Sequence, residues 1–188
     1  MQKKIIILDD GHGKDTPGKR SPEWGKGVLY ENEFNEDIML RIAKILQAAG
    51  IKVFFAAPEK EDIALETRVR RVNDLHSQYP GQVILISIHA NAGGGEGYEL
   101  FTSIGKTKSD EYAKTIFDEV KAQFPEWIMR GIKEENFYIL KKTMCPAVLC
   151  ELGFMDNKAD YDRLMNNEFR NRLAIAHANA IIKIASKP

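Results

Sequence analysis

The stretch "QVILISIHANAGGG", residues 82–95, decides the fold. Val83 to Ile88 read as a near-continuous apolar strand, the pattern of a strand covered on both faces in an α/β sheet. It runs straight into His89, small residues and three glycines. The same design stands at the N-terminus in "IIILDDGHGKDT", residues 5–16. Ile5 to Leu8 form a short buried strand, two carboxylates follow, and Gly11 and Gly13 free the backbone to bend around His12.

Helical patterns lie between such strands. "EDIMLRIAKILQAAG" (36–50) puts Ile38, Ile42, Ile45 and Ala49 on one face and stops at Gly50, in the position of a C-terminal cap. A strand is expected at "IKVFFAA" (51–57), then a helix at "ALETRVRRVNDLH" (64–76) with Leu65, Val69, Val72 and Leu75 inward. "GYELFTS" (97–103) reads as a strand, and "SDEYAKTIFDEVKAQF" (109–124) as a helix facing inward with Tyr112, Ile116 and Val120. "FYILKK" (137–142) and "PAVLCELGF" (146–154) read as strands. "NEFRNRLAIAHANAIIKIA" (167–185) is a terminal helix with Phe169, Leu173, Ala176, Ala180 and Ile184 near one face. The alternation predicts an α/β fold: one mixed or mostly parallel sheet with helices on both faces.

The 188 residues predict a single domain, 1–188. Lys and Arg number 27, as do Asp and Glu, so no polycation argument for nucleic acid arises. "CPAVLC" (145–150) reads as a buried strand whose two cysteines are small hydrophobes rather than a disulfide framework. The apolar run in "MQKKIIILDDGHG" is too short for a secretory signal, and no run approaches the ~20 apolar residues of a spanning helix. The expectation is synthesis in the cytoplasm without a signal peptide, and no stable membrane insertion. "GHGKDTPGKRS" (11–21) falls short of the GxxxxGK[ST] phosphate loop, and "NAGGGEG" (91–97) lacks a dinucleotide fingerprint.

Chemistry collects where the strands end. His12 and His89 both stand at or just beyond an apolar strand, where loops on a rigid sheet form the usual crevice for active sites. Zinc takes imidazole nitrogen and carboxylate oxygen, and catalytic sites commonly use three protein ligands and leave one position for water. A glutamate completes such a set. Glu31 in "YENEFNEDI" stands just before a predicted helix, and Glu33 is its rival; spacing alone leaves the two open. Glu151 in "PAVLCELGFMDN" ends an otherwise apolar strand, and a buried carboxylate needs a proton, a metal or a basic group nearby. Facing a zinc-bound water, it would serve as general base and then general acid. His76 and His177 read as structural, one a polar residue at a helix end and the other a partly buried helical histidine.

Four blocks together carry a likeness that no single residue does. "ILDDGHG", "GVLYENEFN", "SIHANA" and "RGIKEENFYILKKTMCPAVLCELGFMDN" resemble, in order and spacing, the motifs of the zinc-dependent N-acetylmuramoyl-L-alanine amidases of amidase type 3. The resemblance runs from about Ile5 to the terminal helix. It implies a six-stranded mixed sheet and cleavage of the amide between N-acetylmuramic acid and the L-alanine of the peptidoglycan stem. It places one zinc ion on His12, Glu31 and His89, settles Glu31 over Glu33, and makes Glu151 the catalytic glutamate. Asn91 is expected to meet a glycan or peptide carbonyl, or else to cap backbone; Arg130 is expected to meet a stem-peptide carboxylate, or else an internal acid.

Two departures stand out. Asp10 occupies the place of the family's usual proline, and "VFFAAPEKED" (53–62) replaces a common threonine and arginine. The stretch from His89 to Glu151 leaves no room for the helical insertion that blocks the site in some relatives. The expectations are therefore a monomer with no activator partner, acting on the bacterial cell wall after phage-type release or in sporulation. A zinc peptidase cutting within the stem, and a wall-binding module without turnover, are the alternatives.

Overall fold

The computed structural model describes residues 4–186; the first three residues of the N-terminal run "MQKKIIILDDGHG" lie outside them. The elements run β1 (Ile5–Asp9), α1 (Glu31–Ala48), β2 (Val53–Phe55), α2 (Leu65–Gln78), β3 (Val83–Asn91), β4 (Tyr98–Thr102), α3 (Lys108–Gln123), β5 (Met129–Glu134), α4 (Tyr138–Lys142), β6 (Ala147–Phe154), α5 (Lys158–Leu164) and α6 (Asn167–Ala185). The strands form one six-stranded sheet in the order β2-β1-β3-β6-β4-β5. Only the β4–β6 pair is antiparallel, so the sheet is mixed and mostly parallel.

Alternation along each strand divides two cores. Ile6, Leu8, Ile84, Ile86, Ile88, Val148 and Cys150 face the larger one, packed against α1, α3 and α6. Ile5, Ile7, Val83, Leu85, Ala147, Leu149 and Phe101 face a smaller one, closed by Val69 and Val72 of α2 and Ile139 and Leu140 of α4. Both faces are covered, which is why the central strands read as unbroken apolar runs. On the smaller face the apolar columns end in polar residues. Register sets Asp9 beside Ser87 on β3, then His89 beside Glu151 on β6 and Glu151 beside Glu99 on β4. The site forms where the apolar columns stop.

Gly50 follows α1 as expected: its N–H returns to the Gln47 carbonyl and that of Ile51 to Leu46, while Leu46 and Ile51 are both buried. Both cysteines are buried and unpaired. Among the described residues, no helix is long and apolar enough to cross a membrane.

Several expectations are corrected. "FYILKK" is the helix α4, because adjacent Ile139 and Leu140 both turn inward, which a half-buried strand cannot do. The edge strand β5 and the helix α5 were not anticipated. Helix α1 begins five residues earlier than its apolar period, so Glu31 lies inside its first turn rather than before it. Leu65 opens α2 exposed at the cavity mouth, not in the core. His177 is fully buried rather than partly so.

Candidate metal centre and active site

His12 leaves the end of β1 on a loop that needs its glycines. Gly11 has φ +72, and a Cβ there would lie 2.2 Å from the His89 ring; a Cβ on Gly13 would lie 2.1 Å from the Asp62 backbone. The loop is tied down on both sides. Asn35 of α1 donates to the Asp10 carbonyl at 2.9 Å, and the Gly13 N–H reaches Asp62 Oδ1 at 3.2 Å. The departure "VFFAAPEKED" thus supplies, through Lys60 and Asp62, the backing of the His12 loop.

Three elements converge on one point. Glu31 Oε1 lies 3.2 Å from His89 Nδ1 and 3.6 Å from His12 Nε2. One ligand atom from each of the three lies within 4.8 Å of the others. The imidazole rings stand edge to face with centroids 5.2 Å apart. Glu33 is exposed and outside the cluster, so the geometry selects Glu31. Lys19 Nζ stands 3.6 Å from Glu31 Oε2, a counter-charge on the open side.

The electrostatics ask for a cation here. Burial works to raise the Glu31 pKa, yet the hydrogen bond and charge of His89, with His12 and Lys19, bring it below its ordinary value. Burial pushes His12 down to about 4. Burial also works downward on His89, but its bond to Glu31 and the carboxylates of Glu151, Glu31 and Asp9 outweigh it, and its pKa rises. Glu151 is pushed up to about 7, first by burial and then by the charges of Glu31 and Glu99. Glu31 Oε2 and Glu151 Oε2 are buried with no hydrogen-bond partner. Two imidazoles and a carboxylate converging beside orphaned carboxylate oxygens fit zinc, which these donors bind well.

The cluster opens into a cavity of about 530 Å³ lined by His12, Lys19, Glu31, His89, Asn91 and Glu151, with an apolar wall of Ile63, Leu65, Phe137 and Tyr138. Asn91 is anchored: its amide donates to Glu99 Oε1 at 2.8 Å, and its Oδ1 accepts from the Ala92 N–H at 2.7 Å. Arg130 Nε and Lys133 Nζ both donate to Glu99 Oε2 at 2.6 Å, and the Arg130 guanidinium lies over the Phe154 ring. The glycine loop after β3 is held rather than loose, because Asp156 Oδ2 accepts from the N–H groups of Gly93 and Gly94. Sequence reasoning passed over Asp9, Ser87, Arg68 and Lys19. The paired carboxylates at the end of β1 and the serine interrupting "VILISI" were the available signals.

An α/β sheet carrying a His, Glu, His cluster and a buried carboxylate in an open cleft defines a metal-dependent hydrolase. Residues 6–183 match the amidase type 3 family, and the chain belongs to this family of N-acetylmuramoyl-L-alanine amidases. It is 31% identical over 180 residues to the sporulation-specific N-acetylmuramoyl-L-alanine amidase of Bacillus subtilis (strain 168), covering 94% of this chain and 66% of that protein. It is 28% identical over 192 residues to the endolysin of Bacillus phage SPP1, covering 96% of this chain and 66% of the endolysin. The chain therefore spans about two thirds of the length of these relatives. The crystal structure of an N-acetylmuramoyl-L-alanine amidase from Clostridium difficile 630 superposes with a TM-score of 0.87 at 26% identity, covering all of both chains.

Proposed function

We propose that this chain hydrolyses the amide joining the lactyl group of N-acetylmuramic acid to L-alanine in peptidoglycan, with zinc held by His12, Glu31 and His89 and with Glu151 as base and acid. The observation that carries the reading is the buried, unpartnered Oε2 of Glu151, on the same sheet face as His89 and one strand away. A bound zinc ion supplies a water of lowered pKa and polarises the scissile carbonyl. Glu151 takes the proton of the attacking water, and its elevated pKa suits it to hold that proton near neutrality. It then delivers the proton to the L-alanine nitrogen as the C–N bond breaks. Lys19 balances the carboxylates at the mouth of the site.

Asn91 has one amide hydrogen on Glu99 and a second to offer a sugar or peptide carbonyl in the cavity. Arg130 is held by the internal acid Glu99 and by the Glu96 carbonyl, outside the residues that line the cavity, and its partly exposed guanidinium is the group we assign to a stem-peptide carboxylate. Arg130→Gln should raise KM about tenfold, the worth of one charge-assisted hydrogen bond, with little change in kcat. The chain acts on the cell wall, and its likenesses to a sporulation-specific amidase and to a phage endolysin support a role in sporulation or after release of the phage type. We read it as a monomer that needs no activator, because β4, α3, β5 and α4 fill the span between β3 and β6 and leave the cavity open. Metal-loaded protein that stays inactive until another protein is added would overturn that reading.

The test of the reaction is the mass spectrum of products from purified peptidoglycan with zinc-loaded and metal-stripped protein. Zinc-dependent release of stem peptides that begin with free L-alanine is expected. Fragments cut within the stem would assign a peptidase, and wall binding without product would assign a binding module.

A further inference from the structure

Behind the metal cluster lies a chain of buried polar groups that the reaction does not touch. His89 Nε2 lies 3.1 Å from Ser87 Oγ, Ser87 donates to Asp9 Oδ2 at 2.6 Å, and Arg68 Nη1 donates to Asp9 Oδ1 at 2.7 Å. Ser87, Asp9 and Arg68 are each at most 1% exposed and come from β3, β1 and α2. Arg68 also donates through Nε to the carbonyl of Ile63, in the cavity wall.

Donor counting orients this chain. The Asp9 carboxylate accepts only, and Arg68 donates only, so the single Ser87 proton is committed to Asp9. Ser87 Oγ then faces His89 as an acceptor, which requires a proton on Nε2. Glu31 Oε1, 3.2 Å from Nδ1, would by itself draw that proton to the other side of the ring. We infer that the Arg68–Asp9–Ser87 relay is a positioning device that holds the proton of His89 on Nε2 and so keeps the Nδ1 lone pair for the metal. A partner on the second nitrogen of a ligand histidine fixes its tautomer and typically changes metal affinity 10–100-fold.

The relay can be reversed as well as cut. In Asp9→Asn, Arg68 Nη1 keeps Asp10 Oδ1 at 3.3 Å, but the amide oxygen taking the place of Asp9 Oδ1 remains its nearer acceptor, so the new NH₂ turns toward Ser87. Ser87 must then donate to His89, and the imidazole proton moves to Nδ1, where the metal should bind. Cutting the relay with Ser87→Ala removes the guidance without inverting it.

The inference rests on the zinc reading of the site, so zinc affinity is measured directly by competition with a chelator, beside nitrogen NMR of His89 in zinc-free protein in mildly alkaline buffer. The wild type should show Nε2–H and bind zinc; failure of the wild type to bind zinc overturns the metal reading itself, and with it the inference. Asp9→Asn should show Nδ1–H and lose about 10–100-fold in affinity. Ser87→Ala should lose less and show a shift toward Nδ1–H. The double variant should be no weaker than Ser87→Ala, because the inverted donor no longer reaches His89. Retained Nε2–H with unchanged affinity, or losses that simply add, would overturn the relay. Ser87→Ala leaves the Asp9–Arg68 pair intact, so it decides the question even if Asp9→Asn does not fold.

Discussion

His89 and His177 are both withdrawn from bulk water in the same domain, yet only one is equipped to hold a metal. On α6, His177 donates from Nδ1 to the Leu173 carbonyl at 2.8 Å and accepts at Nε2 from the Tyr98 hydroxyl at 3.0 Å. Both nitrogens are used by neutral protein groups, and burial pushes the ring down to about 4. His89 holds Ser87 at Nε2 and turns Nδ1 toward Glu31 Oε1, another member of the ligand cluster, beside two carboxylate oxygens that have no hydrogen-bond partner. Burial does not make a ligand; a nitrogen turned toward other ligand atoms does.

The largest expected effect comes from removing that nitrogen. His89→Ala should weaken zinc binding by more than about 100-fold, beyond the loss usual for a supporting residue, and turnover should fall with it. A variant that stays loaded in a zinc titration would place the metal elsewhere. His177→Gln should do the opposite, leaving zinc affinity and turnover unchanged while lowering stability by about 1–3 kcal/mol, since Tyr98 and Leu173 lose well-placed partners. Denaturant melts measure this, and a zinc defect there would break the contrast.

The same histidine should set part of the acid response. Its pKa falls from 6.5 unfolded to about 4 folded, so the unfolded chain binds the extra proton between those values. Its contribution is therefore complete above pH 6.5 and lost as pH falls toward 4, at up to about 1.4 kcal/mol per pH unit. Zinc-free His177→Gln should show a flatter decline across that window than the wild type, by about one proton. An unchanged slope would mean that His177 titrates normally. The smallest effect belongs to Glu33, an exposed carboxylate near the cluster but outside it: Glu33→Gln should leave zinc affinity and turnover within about twofold, as ordinary surface changes do.

Much of this was legible because burial on both sheet faces writes itself as unbroken apolar runs, as in Val83 to Ile88. Histidines at the ends of such runs advertise the cleft. What escaped were elements whose pattern is weak. β5 pairs with β4 alone and exposes every second residue, so "MRGIKE" carries no apolar run. "FYILKK" is too short for its period to separate strand from helix. The likeness to the amidases, rather than spacing, chose Glu31 over Glu33, and the fold supplied the reason by starting α1 at Glu31. Ser87, Asp9 and Arg68 could not be joined from sequence, because 59 positions separate Asp9 from Arg68 and only the β1–β3 register sets Asp9 beside Ser87.

The division of labour between three ligands and one base is tested most directly by zinc content and turnover measured together on Glu151→Gln. One zinc per chain, with hydrolysis of peptidoglycan reduced by about 10²–10⁴-fold, is the expected result. Loss of the zinc, or turnover close to that of the wild type, would contradict it.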